Sequence, residues 1–381
     1  MMNTRLWIVL ISALLGLIAR IRGEGEDFQS SEADLSVEKA PDLPAEGDQS
    51  SAQPDSTDID ESPMLPAEGD FADFWEDFMD QAAGPPEKGD ALRACLEHHP
   101  NPRSTVHVSS ERELQNAMNE ATPGTMIVLR DGVYASRLAP TRTFEVKFKN
   151  ASRSDPITIC GTARARLDGD RKHAPLMIYK SSYVQVVGIS VTNGAKGIKM
   201  YTVKKCLLDS VTVDGTNVEA IHIQFGSHYN TVRNCTVRNT GRTIPKVGEG
   251  IYLGSSRRNR RGDVCIGNRI LYNTIGPGVT AEAIDVKEWT RGGLIKGNRL
   301  DGRDLCSCPD PVSLILVKGS DYRIEDNVGT GALQSAFANS KVATAPPPRG
   351  NVFKNNRCTT PSRRRGFPCT KTTPGNKAYS L

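Results

Sequence analysis

Three scarcities bound this chain of 381 residues before any motif is read. The first is of long apolar runs: the longest, residues 6–18 after Arg5, falls short of the roughly 20 residues that a helix needs to cross a bilayer. A short apolar run behind a basic residue reads instead as a secretory signal over residues 1–22, which places the mature chain outside the cell with no integral membrane segment. The second scarcity is of positive charge between residues 24 and 90, where 21 acidic residues face only Lys39 and Lys88. The third is of metal-type cysteine pairs, since Cys306 and Cys308 are separated by one residue and no second pair lies nearby, which argues against a zinc site.

What is present divides the chain sharply. Residues 23–92 are rich in Asp, Glu, Ser and Pro and cannot bury enough apolar surface to offset chain entropy, so they read as a disordered acidic segment. Within it LPAEGD occurs twice, at Leu43 and Leu65, and FADFWEDFMD from Phe71 has the pattern of a short acidic amphipathic helix. From Ala91 onward 43 Lys and Arg face 23 Asp and Glu, so an acidic leader precedes a body of net charge +20. Nine cysteines suit an oxidising compartment, and the odd number leaves one unpaired within the chain. Sequons at Asn150 and Asn234 agree with secretion. A basic body suits nucleic acid electrostatically, but a secreted chain without a nucleic-acid motif excludes that partner and leaves an acidic glycan. The domain plan is completed by an ordered region over residues 93–360, expected to be monomeric, and a basic tail over 361–381.

The ordered region opens with STVHVSS, a strand, and SERELQNAMNEA, a helix with Ser110 and Glu113 as its capping box and Leu114, Ala117 and Met118 as its apolar stripe. PGTMIVLRDGVYA then returns to strand. This opening, with DPITICG from Asp155 and SSYVQVVGISVTN from Ser181, resembles the N-terminal cap of secreted right-handed parallel β-helix proteins. These form the pectate-lyase-like superfamily, which includes chondroitinase and alginate lyase families, and the resemblance covers residues 104–356.

Repeats support the same architecture independently. ISVTN at Ile189, VTVDG at Val211, CTVRN at Cys235, RILYN at Arg269 and RLDG at Arg299 recur at intervals of 22–34 residues, the signature of a stacked solenoid. The preceding residues Gly188, Ser210, Asn234, Asn268 and Asn298, continued by Asn327 and Asn356, suggest one asparagine ladder at a turn. The expected fold class is therefore all-β: a right-handed single-stranded parallel β-helix with a short N-terminal capping helix.

EAIHIQFG from Glu219, EGIYLGS from Glu249 and EAIDVKE from Glu282 align as successive strands of that solenoid. If Ile221, Ile251 and Ile284 face the core, alternation places His222, Tyr252 and Asp285 outward with Gln224 and Lys287. The same phase adds Lys199 and Tyr201 on one side and Leu316 and Lys318 on the other. Strict alternation turns Glu219, Glu249 and Glu282 inward, where they must cap a corner, pair with a cation or hold a metal. Lys287 and Lys318 fall one coil apart, which predicts a lowered pKa for one of them and hence a base.

Such a base suits β-elimination of a uronic acid polymer, in which the sugar carboxylate is neutralised and the C5 proton removed. The resemblance implies a lysine or arginine base on the outer face of a sheet, often with calcium. Lys287 best matches that base, Lys318 would bind or activate, and Asp285 and Glu288 are candidate calcium ligands; Glu249 and Glu282 are further metal candidates, although a structural corner is the favoured reading of their column. His222, Gln224, Tyr252, Lys199 and Tyr201 would contact sugar, with His222 or Tyr252 donating to the leaving oxygen. Arg257 and Arg258, in the loop SSRRNRRGD, would clamp the anionic chain. The RGD within that loop is short enough to match by chance. Two alternatives remain open: a glycoside hydrolase with Asp285 and Glu288 or Glu249 as its carboxylates, and a noncatalytic acidic-glycan-binding surface protein.

The charge division makes a prediction about the leader. If it competes with an anionic ligand for the basic body, a chain beginning at Ala91 binds polyanions more tightly at low salt than the full chain. Equal binding removes that role.

Overall fold

The computed structural model describes residues 91–256, 263–307, 312–343, 345–358 and 368–379. The expected signal, the acidic segment up to residue 90, Arg257 and Arg258 lie outside these residues. Helix α1, Ala91–His98, precedes the first strand and is tied to the strand Ile157–Cys160 by the Cys95–Cys160 disulfide. The folded region thus begins inside the segment assigned to disorder. Its C-terminus also extends past residue 360: Thr370–Lys371 and Lys377–Tyr379 add strands to two of the sheets, and Cys358–Cys369 joins that last coil to its neighbour.

After the strand Ser104–Val108 comes helix α2, Glu111–Glu120. The Ser110 side chain accepts from the Glu113 N–H at 3.3 Å, while the Glu113 carboxylate accepts from Ser109 N–H at 2.7 Å, one residue upstream of the usual reciprocal bond. Leu114, Ala117 and Met118 are buried, as their spacing predicts.

Beyond this cap the strands fall into three sheets of 11, 9 and 9 strands, and every pairing is parallel. Each coil contributes one strand to each sheet, so residues at equivalent positions stack coil upon coil. This is the all-β parallel solenoid expected, and parallel connections of this kind are right-handed. In the sheet that carries the aligned segments, Ile198 pairs with Ile221, Ile221 with Ile251, Ile251 with Ile284, and Ile284 with Ile315. All five isoleucines are fully buried, and each contributes on the order of 1.5–3 kcal/mol by leaving water.

The polar counterpart is two asparagine ladders, not one. Asn273, Asn298, Asn327 and Asn356 each precede a strand of one nine-stranded sheet, and the carboxamide oxygens of Asn298, Asn327 and Asn356 each accept from the backbone N–H of the asparagine one coil before. Asn230 and Asn268 form a second ladder before strands of the eleven-stranded sheet. Asn234 belongs to neither, because its amide donates to Asp209 at 3.0 Å. The merging has a simple cause: only two residues separate Thr231–Arg233 from Thr236–Arg238, so a repeat alignment slips from one strand to the other.

Three thiols, Cys206, Cys235 and Cys265, are free and buried, where the odd count required one. Cys206 and Cys235 head the ladders, their N–H groups donating to Asn230 and Asn273. Cys306 is oxidised in a disulfide, which removes it as a zinc thiolate.

Replacing Asn298 with Ala should be costly. It strips the Asn273 N–H of its acceptor and the Ile270 carbonyl of its donor in a buried turn, a loss of about 3 kcal/mol. Denaturant unfolding checks this, and a loss below about 1 kcal/mol would contradict a structural ladder.

Candidate active site

The coil register brings the expected outward residues together. Lys199 pairs with His222, His222 with Tyr252, Tyr252 with Asp285, and Asp285 with Leu316, each on an adjacent strand. Tyr201 pairs with Gln224 in the neighbouring outward column, which continues toward Lys287 and Lys318. The His222 and Tyr252 rings meet edge to face at 4.6 Å, and the Lys287 ammonium sits 4.6 Å from the centre of the Tyr252 ring. Gly254 makes room for this packing: at φ +86° it adopts a conformation that suits glycine, and a Cβ there would lie 3.1 Å from that of Lys287 and 2.7 Å from Thr290 Cγ2.

The constellation is less open than an exposed groove. Asp285 is 1 % exposed and Lys287 5 %, and His222, Gln224 and Tyr252 are also buried. Desolvation therefore strengthens every charge interaction in it.

The predicted lowering of a lysine pKa is not what the geometry produces. Asp285 lies between the two ammonium groups, at 2.8 Å from Lys287 and 2.9 Å from Lys318. Burial pulls the Lys287 pKa down, but the Asp285 carboxylate outweighs it and holds the value well above the ordinary one. Burial likewise pushes Asp285 up, and the two lysines bring it below the usual carboxylate range. The second lysine one coil away does not depress the Lys287 pKa here, because an anion sits between the two cations.

The three glutamates are displaced from their expected face. Each precedes its strand by two residues, so alternation does not govern it, and Glu249 and Glu282 bring carboxylate oxygens to within 4.8 Å of each other and of Asp285 on the outer side. Glu219 takes a different partner set, with Lys196 and the His222 Nδ1 (3.0 Å) against it. Burial, with the Glu219 and Glu282 charges next, drives the Glu249 pKa well above its ordinary value, and burial with Asp285 raises that of Glu282. Tyr252 is held as a neutral phenol, chiefly by burial, and burial with Lys196 lowers the His222 pKa and keeps the ring neutral. Its Nε2 lies 3.0 Å from the Gly254 carbonyl.

Glu249, Glu282 and Asp285 offer hard oxygen donors of the kind calcium prefers. One Glu249 oxygen is buried without a hydrogen-bond partner, which fits a cation ligand, although Asp285 would have to relax its hold on a lysine. Glu288 is buried but does not join this group of three. Lys196, at 3.2 Å from His222 Nδ1, has no counterpart in the sequence reading. It lies in the NGAKG turn before its strand, where no alternation marks its direction. The Asp263 of the RGD tripeptide accepts from the Phe225 and Gly226 N–H groups at 2.7 and 3.0 Å, a commitment that does not suit adhesion.

Three parallel sheets, one carrying this constellation on its outer face, form a right-handed parallel β-helix, a fold shared with solved alginate and pectate lyases. An alginate lyase from Paenibacillus sp. strain FPU-7 is similar in structure, with a TM-score of 0.61 and 25% sequence identity over 73% of this chain and 98% of its own. Pectate lyase Pel9A is similar at a TM-score of 0.52 and 14% identity, over 75% of this chain and 79% of its own. No family model matches the sequence, and no curated protein is similar to it in sequence.

The raised Glu249 pKa predicts how stability varies with pH. A folded chain that holds this proton while the unfolded chain releases it loses stability as pH rises above about 4.5, until the folded pKa is reached. The lowered pKa of Asp285 acts oppositely, its stabilisation being present above the ordinary carboxylate range and lost as pH falls through the folded value. Glu249→Gln should therefore flatten the decline above pH ~4.5 and keep the acid limb. Denaturant unfolding across pH 4–8 with chelator present checks this; superimposable curves for the two chains would show that Glu249 ionises freely.

Proposed function

We propose that this chain is a secreted lyase that splits an acidic, uronic-acid-containing polysaccharide by β-elimination. The observation that carries this reading is the Lys287 ammonium over the Tyr252 ring, with Asp285 and Lys318 completing the group on one sheet face. Likeness in fold to an alginate lyase and a pectate lyase supports the same class of reaction.

The substrate carboxylate would lie against Lys318, whose positive charge stabilises the negative charge that develops as the C5 proton leaves. Lys287, once neutral, takes that proton. The electron pair forms the C4–C5 double bond, the C4–O bond breaks, and the departing oxygen takes the phenolic proton of Tyr252. The buried phenol is in the protonated state that this donation requires. His222 and Gln224 would line the approach to it, and Arg257 and Arg258 are proposed to grip the polymer. Calcium, if bound, would be held by Glu249, Glu282 and Asp285 and would assist in neutralising the carboxylate. A hydrolase built on Asp285 is less favoured, because both of its oxygens are engaged by lysines.

Because Asp285 keeps Lys287 protonated at rest, the active neutral amine is scarce at neutral pH. On polyuronates, kcat/KM for formation of unsaturated, ultraviolet-absorbing ends should climb by up to about tenfold per pH unit through the neutral and mildly alkaline range. Asp285→Asn should move that rise to lower pH, and Lys287→Ala should abolish product. A profile flat in pH would reduce Lys287 to a binding group. New reducing ends without unsaturation would establish hydrolysis, and binding with neither product would leave a lectin.

A further inference from the structure

The sheet that bears the candidate site carries a second feature on its outer face. Lys147, Tyr179, Tyr201 and Gln224 pair in one outward column. Phe148 and Phe225 follow directly on the first and last of these strands. The rings form a continuous ladder: Phe148 meets Tyr179 edge-on at 5.4 Å, Tyr179 meets Tyr201 at 5.1 Å with 41° between planes, and Tyr201 meets Phe225 at 4.5 Å with 31°. Unlike the buried constellation, the ladder opens to solvent toward its N-terminal end. Tyr179 and Tyr201 are half-buried and Phe148 is 66 % exposed.

The exposed lysine Lys180 crosses this end, its ammonium 5.3 Å from the Tyr179 ring centre and 6.0 Å from that of Phe148. Among the described residues it has no carboxylate partner. An unpaired cation against partly exposed aromatic rings offers two things at once, an apolar face for the C–H face of a sugar ring and a positive charge for a carboxylate on the same sugar. A neutral glycan would use only the first.

Placement relative to the reacting groups gives the feature its meaning. Tyr201 lies three coils from Lys287 along the outward column, and Tyr179 lies four. At about 4.8 Å per coil these separations are roughly 14 and 19 Å. An extended uronan advances by about one sugar per coil, so a polymer running along the column would reach Tyr179 with a sugar about four residues from the bond being cut.

We infer that Tyr201, Tyr179, Phe148 and Lys180 form a distal subsite for the acidic polysaccharide, stacking on its rings and pairing Lys180 with a uronate carboxylate. This rests on the reading of the substrate given above. It implies that short oligomers bind through the buried constellation alone, whereas longer ones gain affinity from the ladder.

The test is binding, measured separately from turnover. Oligouronides from trimer to octamer and the polymer are titrated calorimetrically against the full chain carrying Lys287→Ala, with and without Tyr179→Ala or Lys180→Glu. For the uronan that binds, each second substitution should weaken the octamer about tenfold and leave the trimer unchanged, and Tyr179→Phe should restore octamer affinity. Lys180→Glu changes an exposed side chain and keeps the test valid if Tyr179→Ala fails to fold. Equal weakening at every length, no weakening, or no binding of any uronan overturns the subsite. Length-dependent binding by a wild-type chain that yields no unsaturated product would sustain the subsite while ending the lyase reading.

Discussion

Parallel pairing in fixed register is the constraint on which everything else depends. Ile198, Ile221, Ile251, Ile284 and Ile315 stack in one buried column, and a slip of one residue in any of these strands would turn its aliphatics to solvent and its polar residues into the core. The apolar column therefore does more than stabilise the coils. By fixing phase it places His222, Tyr252 and Asp285, contributed by segments some thirty residues apart in sequence, side by side on the opposite face. The asparagine ladders reinforce the same register at the turns, where the backbone N–H groups would otherwise lack acceptors.

Charge organisation is the second layer, and it follows from crowding the register creates. Five carboxylates, Glu219, Glu249, Glu282, Asp285 and Glu288, lie buried within a few coils, against Lys196, Lys287 and Lys318. Glu219 and Asp285 stay ionised by pairing, whereas Glu249 holds a proton because its neighbours include other acids. The resting site is consequently one in which the lysine is charged and the phenol is protonated, a state that chemistry at C5 must shift by one proton.

Much of this could be read from the chain alone because solenoids repeat their instructions. The phase of Ile221, Ile251 and Ile284 was visible as an alignment, and the column it defined recurs in the strand pairings residue for residue. What was illegible lay where alternation stops. Glu249 and Glu282 stand before their strands and swing outward, Lys196 reaches in from a turn, and the two asparagine ladders were fused because neighbouring strands are so close in sequence. The direction of the Lys287 pKa was missed for a related reason: proximity of two lysines could be read from spacing, but the Asp285 side chain bridging them could not. The aromatic ladder was only partly visible, with Tyr201 in the outward phase and Phe148 outside any aligned repeat.

The measurement that bears most directly on the central geometry is a crystal structure of the Lys287→Ala chain with a bound oligouronide. The sugar should lie on the outer face of the Tyr252 sheet, with C5 directed at the space left by the Lys287 amine, the glycosidic oxygen within hydrogen-bond reach of the Tyr252 hydroxyl, and the carboxylate against Lys318. An oligouronide seated on another sheet, or one whose glycosidic oxygen lies far from Tyr252, would contradict it.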